Sequence, residues 1–186
     1  MKTDFIIFII LNSIWLLEWI VYKDTAPKRK EANNQALVVK SFTLLMFTSS
    51  VVFSFWLSTV ISETNGFAEK SGLVLMAIGL LLRGWTYFFS REFFTRTIVP
   101  QEDRPLFSRG PYRFNRHPFH TGFFLAALGT TLFISSHWLS LVYTFLLIGS
   151  ALHYRMSIEE FYYKKRYGDI YPYWCKHRFR LLPFLY

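Results

Sequence analysis

Five long apolar stretches, 5–22, 36–61, 71–89, 119–134 and 138–154, constrain this chain more than anything else in it. A bilayer's hydrocarbon core takes roughly 20 mostly apolar residues per spanning helix, and each stretch is near that length with few charges. Composition agrees: 52% of the 186 residues are hydrophobic and 20% aromatic, too apolar for an ordinary soluble domain. The expectation is an all-α integral membrane bundle of about five transmembrane helices. The polar stretch 23–35, with Pro27 and Asn33-Asn34, reads as a loop. Only Ser135, Ser136 and His137 separate the last two stretches, which makes them a tight antiparallel hairpin. Lys2 and the apolar run behind it look like a secretory leader, but no small-x-small cleavage pattern follows, and Trp15, Glu18 and Trp19 occupy that region; a retained helix is expected.

The formal charge of +9 does not read as a nucleic-acid surface, because the cations are sorted by loop. Lys23, Lys28, Arg29, Lys30 and Lys40 lie in or beside the first loop, Arg91 to Arg116 fill the third, and Arg155 to Arg180 occupy the tail, while Lys2 and Lys70 stand on the other side. Positive charge collects on the cytoplasmic side. The N-terminus is therefore expected outside and the C-terminus in the cytoplasm, an alternation that five spans satisfy and four or six do not. One cysteine, Cys175, excludes an internal disulfide and a cysteine-rich metal site. No internal repeat, Walker loop or G-x-G-x-x-G is present. The chain divides into residues 1–90, three helices with their loops, and 91–186, a cytoplasmic loop, the hairpin and a C-terminal helix expected to carry function.

Ionisable groups inside spans are expensive. Glu18 and Arg83 each lie within two turns of a cytoplasmic end, where snorkelling to the interface accounts for them. The Thr48, Ser49, Ser50 group reads as helix packing or self-bonding to the backbone. The segment 91–120 differs, holding six arginines, four prolines and several aromatics in one connection; its aromatics argue against disorder. Gly110-Pro111-Tyr112-Arg113 makes a turn. Arg116-His117-Pro118 opens the fourth helix, with proline where no amide donor is needed; free backbone donors and the positive dipole end attract an anion there, and Arg116 and His117 add side-chain donors. Gly122 lets a ligand or a neighbouring helix approach closely. A second polar cluster, Arg155, Glu159, Glu160 and Lys164 to Gly168, follows the fifth span, with Arg155 and Glu159 four apart on one helix face. The short hairpin sets His117 and Arg155 at one level, so the two clusters meet.

These clusters, in this order, resemble the isoprenylcysteine carboxyl methyltransferases, a family similar in turn to the phospholipid methyltransferases. The matching residues are Gly110-Pro111-Tyr112-Arg113-Phe114-Asn115-Arg116-His117-Pro118, Thr121-Gly122, Arg155-Met156-Ser157-Ile158-Glu159-Glu160, Tyr167-Gly168, Tyr171 and Pro183. The resemblance implies a multi-pass membrane enzyme that encloses S-adenosylmethionine on the cytoplasmic side and takes a lipid-like acceptor laterally from the bilayer. It sits in the plasma membrane if bacterial and the endoplasmic reticulum if eukaryotic. Carried onto this chain, the resemblance makes Tyr112, Arg116, His117, Pro118, His120, Gly122 and Glu160 cofactor contacts and puts Arg155 and Glu159 at the reaction. His120 stands where the family usually has tyrosine. Methyl transfer is an in-line displacement that demands alignment; a carboxylate acceptor needs no base, whereas an amine or hydroxyl does.

Three other readings compete. His117-x-x-His120 with Glu159 has the chemistry of a membrane metal site, but Pro118 between the histidines and the lack of a third histidine on that helix count against it, and no metal is expected. The ending from Tyr167-Gly168 to Arg180-Leu181-Leu182-Pro183 looks like the C-terminus of NADPH-dependent sterol reductases, which are larger. A non-enzymatic adaptor would use Arg155, Glu159 and His117 as interface ion pairs.

Overall fold

The computed structural model describes residues 2–24, 30–61, 65–99 and 104–182. Pro27, Lys28 and Arg29 of the first loop, Pro100 of the basic segment and the closing Pro183 lie outside the described residues, as do the side chains of Lys2 and Lys30. The described chain forms α1 (Lys2–Val21), α2 (Lys30–Val60), α3 (Gly66–Ser90), α4 (Pro118–Ser135), α5 (Trp138–Tyr167) and α6 (Ile170–Cys175), with single 3-10 turns at Arg91–Phe93 and Gly110–Arg113. Five of these helices are long and apolar enough to cross a membrane. Among the described residues there is no strand, only one isolated parallel bridge between Asn115 and Phe179.

The expected spans overlap α1 to α5, with two differences. α2 already begins at Lys30, so residues 30–35 of the stretch expected as a loop are helical, their polar side chains breaking no helix, and α5 is longer than expected. The fifth helix runs on thirteen residues past the apolar stretch, to Tyr167. Nothing between Arg155 and Tyr167 breaks a helix, and Gly168, at φ 55°, stops it while its N–H bonds the Lys164 carbonyl. The charged cluster therefore rides on a rigid extension of a span instead of a separate C-terminal helix.

Backbone contact joins α3 to α4. A Cβ on Gly79 would lie 2.5 Å from the Gly122 carbonyl oxygen, and one on Gly122 would lie 2.6 Å from Arg83 Cγ; Gly72 and Gly129 repeat the contact two turns away. Such small-residue seams let transmembrane helices gain dispersion energy that lipid cannot supply. The α4–α5 hairpin turns at Ser136, held in the left-handed region at φ 54°, and hydroxyls cross-link it: Ser135 Oγ to Ser140 Oγ, 2.6 Å, and Thr144 Oγ1 to Thr131 Oγ1, 2.9 Å. Those rungs set the register. Thirteen residues before Thr131 comes Pro118, and thirteen after Thr144 comes Ser157, so the N-terminus of α4 stands level with the charged extension of α5.

Glu18 and Arg83 do not snorkel. Nε and a terminal nitrogen of Arg83 both reach Oε2 of Glu18 at 2.6 Å, and both residues are buried. Arg83 also donates to the Phe119 carbonyl (3.3 Å) and lies 3.9 Å above the Phe119 ring. Odd-numbered spans run in the same direction, so charges near the ends of α1 and α3 meet at one depth, and a mutual pair neutralises both. Thr48 and Ser50 bond the carbonyls of Leu44 and Met46, and Ser49 reaches Tyr143 at 3.1 Å, matching the packing role expected of them.

Candidate functional site

The site is built where α4 begins. Gly110, at φ 57°, and Pro111 turn the chain, burying Tyr112. Asn115 then acts as a local clamp: its Oδ1 accepts from the His117 amide (2.7 Å), and its Nδ2 donates to Thr121 Oγ1 (2.6 Å). The residues after α6 strap across this helix start. The Phe179 carbonyl accepts from the Arg116 amide (3.0 Å), and the Leu181 carbonyl accepts from Thr121 Oγ1 (2.9 Å). Arg116 spends its guanidinium on the same strap, donating to the carbonyls of Arg178 (2.9 Å) and Cys175 (3.3 Å) and standing 3.6 Å from Glu160. Asn115 thus takes an amide that sequence reasoning had left free for an anion, and Arg116 is mainly a brace.

Against this start lies the α5 extension. His117 is buried with both ring nitrogens facing carboxylates, Nε2 3.1 Å from Glu160 Oε1 and Nδ1 3.4 Å from Glu159 Oε2. His120, its ring stacked on that of His117 at 5.7 Å, places Nε2 3.0 Å from each Glu159 oxygen. Arg155 Nε donates to Glu159 at 2.8 Å, and a terminal nitrogen of Arg155 donates to the Arg96 carbonyl at 3.2 Å. Arg180 Nε lies 3.2 Å from Glu160. Burial alone would lower the His117 pKa, but hydrogen bonds and charge from Glu159 and Glu160 prevail and raise it. His117 thus has a carboxylate against each ring nitrogen, an arrangement that favours its protonated form. The ligand atoms of His117, His120 and Glu159 lie within 4.8 Å of one another, near enough to hold a cation.

A cavity of about 540 Å³ opens beside this cluster, within the range of roughly 300–1,000 Å³ usual for small-ligand sites. Tyr112, Arg116, His117, Pro118, His120, Arg155 and Glu159 line it. Glu160 stands behind His117, off the cavity wall, and Gly122 backs onto α3, so of the two approaches it permits the structure uses the helix. At its far side the cavity runs between α1 and α2 onto Trp15, Leu44, Phe47 and Phe123.

Several groups escaped the sequence reading. Arg96 donates to the carbonyls of Glu18, Trp19 and Tyr22 at the end of α1 (3.2, 3.3 and 2.9 Å). Arg104 stands over Tyr163, 5.6 Å from the ring centroid, and Tyr163 itself lines the cavity. Arg180, buried, braces Glu160 and donates to Ser157 Oγ at 2.8 Å. All three arginines sat among basic residues that the loop distribution had already explained, and no local pattern set them apart. Glu18 and Arg83 carried the one available signal, charges inside apolar stretches.

The chain is 29% identical over 121 residues to proteins named probable protein-S-isoprenylcysteine O-methyltransferase in indica and japonica rice, a stretch covering 64% of this chain and 63% of each rice protein. It is 27% identical over 110 residues to the protein-S-isoprenylcysteine O-methyltransferase of Schizosaccharomyces pombe, covering 58% of this chain and 46% of that one. The chain thus matches less than two thirds of the length of these relatives. The family model described as phospholipid methyltransferase matches residues 67–170, from the start of α3 through the whole of α5 and so through every expected site residue, and the chain belongs to that family.

Proposed function

We propose that this chain is a membrane methyltransferase that uses S-adenosylmethionine and acts, on the cytoplasmic side, on a lipid-like acceptor. The observation that carries the reading is one cavity with two kinds of wall: the His117–His120–Glu159 network at one end and bilayer-depth aromatics at the other. The methyl donor presents a carboxylate, an ammonium, ribose hydroxyls and a sulfonium. The cavity answers with Arg104, the Glu159 carboxylate and the side chains of Tyr112 and Tyr163, a set that fits it. The bound cofactor supplies an activated methyl group.

The protein's own part is alignment. Arg155 fixes the Glu159 carboxylate, Glu159 fixes the ring of His120, and Glu160, braced by Arg116 and Arg180, fixes His117. With Nε2 donating to Glu159, His120 keeps a lone pair on Nδ1 and can take a proton from an amine or hydroxyl acceptor; a carboxylate acceptor leaves it idle. The names of the rice and fission-yeast relatives support methyl transfer to oxygen.

Calorimetric titration with S-adenosylhomocysteine should show binding, and NADPH none; NADPH binding alone would move the protein to the reductases. His117→Ala and Glu160→Ala should each weaken S-adenosylhomocysteine binding by roughly ten- to a hundredfold, the scale of one charge-assisted hydrogen bond, with the protein still folded in detergent. Unchanged affinity in both places the cofactor elsewhere. For the orientation, a cysteine replacing Lys70 should be labelled from outside and one replacing Lys28 should not.

A further inference from the structure

Among the described residues, His117, His120 and Glu159 are the one group of histidine, cysteine, aspartate and glutamate side chains whose ligand atoms all lie within 4.8 Å of one another. Two features of the sequence counted against a metal there, and the fold answers both. Pro118 does not separate the histidines: His117 is the N-cap of α4 and Pro118 its first helical residue, so His120 follows one turn later, and the two rings stack with their planes 7° apart. The third ligand comes from α5 instead of α4, where Glu159 faces both rings.

The distances suit a small dication. Neighbouring ligand atoms of a tetrahedral zinc ion, with bonds of about 2.0–2.1 Å, stand about 3.3 Å apart. Glu159 Oε2 lies 3.0 Å from His120 Nε2 and 3.4 Å from His117 Nδ1. The surrounding contacts leave these same atoms to a metal. Glu160 takes the other nitrogen of His117, Nε2, at 3.1 Å, and is itself braced by Arg180 at 3.2 Å and Arg116 at 3.6 Å. A carboxylate behind a ligating histidine fixes the tautomer that bares the opposite nitrogen. Arg155 Nε donates to Oε1 of Glu159 at 2.8 Å, which orients the carboxylate and leaves Oε2 turned to the rings. All three residues line the cavity, and two imidazoles, one carboxylate and an open fourth position form a ligand set that zinc takes at catalytic centres.

We propose that His117 Nδ1, His120 Nε2 and Glu159 Oε2 bind a zinc ion whose fourth position opens onto the cavity. The metal replaces the protons that the two rings otherwise direct at Glu159. It also changes what His120 can do: with Nε2 on the metal the remaining ring proton sits on Nδ1, so the zinc-loaded protein lacks the base available to an amine or hydroxyl acceptor. The site stands whether or not the cavity takes S-adenosylmethionine.

The test uses untagged full-length protein in detergent, stripped with a chelator, dialysed, and titrated with Zn²⁺ by calorimetry and with Co²⁺ by visible spectroscopy. One zinc per chain should bind, and cobalt should give the strong d–d bands of a four- or five-coordinate site. His120→Phe, which keeps a ring in place, should abolish stoichiometric binding. Glu160→Gln should weaken it by about ten- to a hundredfold, the usual effect of losing the partner behind a ligating histidine. A control combining His137→Asn, His153→Gln and His177→Gln should bind as the unaltered chain does; asparagine keeps a helix-capping acceptor for the Leu139 amide. Absence of zinc binding, a weak six-coordinate cobalt spectrum, loss of binding in the control, or unchanged affinity in both His120→Phe and Glu160→Gln overturns the proposal. Titrating the stripped protein with S-adenosylhomocysteine keeps the two readings apart: zinc without the nucleoside leaves this site standing and removes the methyltransferase reading, and the nucleoside without zinc does the converse.

Discussion

Of the most apolar stretch of α4, 67% is buried inside the protein, against 6% of that of α1. Both helices cross the membrane by length and composition, yet α4 is enclosed by α3, α5 and α2, while α1 leans on α3 and shows lipid most of its side chains. Hydrophobicity therefore says that a helix enters the bilayer and little about what it touches there. The contacts are set by the exceptions to hydrophobicity: glycines on the α3–α4 seam, hydroxyls in the hairpin and one ion pair on α1.

The largest test of that contrast is Glu18→Ala. It strands a buried guanidinium and should destabilise the protein by about 3–5 kcal/mol, read as an earlier midpoint when folded protein in mild detergent is titrated with dodecyl sulfate. Glu18→Leu combined with Arg83→Leu should recover most of the loss, because no charge is left stranded. A loss under about 1 kcal/mol for Glu18→Ala alone would mean that α1 is held by something other than the pair. Gly79→Ala should come next, at about 1–3 kcal/mol, since its Cβ would meet the backbone of Gly122 and Ala126 at 2.5 and 2.6 Å; the same change at Gly66, where nothing lies within 4 Å, should be close to neutral. Equal effects at the two glycines would dissolve the distinction between seam and surface.

The site should respond to pH through His117. Its folded pKa lies above the ordinary 6.5, so the stabilisation it gains from Glu159 and Glu160 is complete below pH 6.5 and is lost as pH rises through the raised value. S-adenosylhomocysteine affinity should accordingly fall on the alkaline side in calorimetric titrations, and His117→Gln should flatten that limb. A fall on the acid side would mean that the carboxylates, not the imidazolium, govern the site.

Much of this architecture was legible in the sequence because membranes simplify it. Five apolar runs gave five helices, and three residues between the last two dictated a hairpin that carried His117 to the level of Arg155. The Arg155–Glu159 pair, 2.8 Å apart, followed from a spacing of four. Tertiary choices were not legible. Nothing local says that Glu18 and Arg83, 65 residues apart, choose each other over the interface, that Arg116 braces the C-terminal strap, or that Gly122 faces α3. Arg96, Arg104 and Arg180 were hidden by abundance: in a chain so basic, an arginine that lines the cavity or braces its network looks like any other. His120 was visible as a departure from the usual tyrosine, but its partner, Glu159 at 3.0 Å, could not be read from the sequence.

The smallest expected effect probes the device that aligns the two clusters. The hydroxyls of Thr131 and Thr144 bond each other at 2.9 Å, and Thr131 Oγ1 also returns to its own helix at the Ala127 carbonyl, 3.1 Å. Interhelical hydrogen bonds in membranes average roughly 0.6 kcal/mol, because the separated helices find other partners; Thr144→Val, nearly the same shape, should therefore shift the unfolding midpoint by little. Register is a different quantity from stability. If the rungs fix the α4–α5 register, Thr131→Val with Thr144→Val should loosen the spacing between His120 and Glu159 and weaken S-adenosylhomocysteine binding more than the small stability change accounts for. If affinity and stability fall in proportion, the glycine seam and the C-terminal strap are sufficient to hold the site, and the hydroxyls are packing alone.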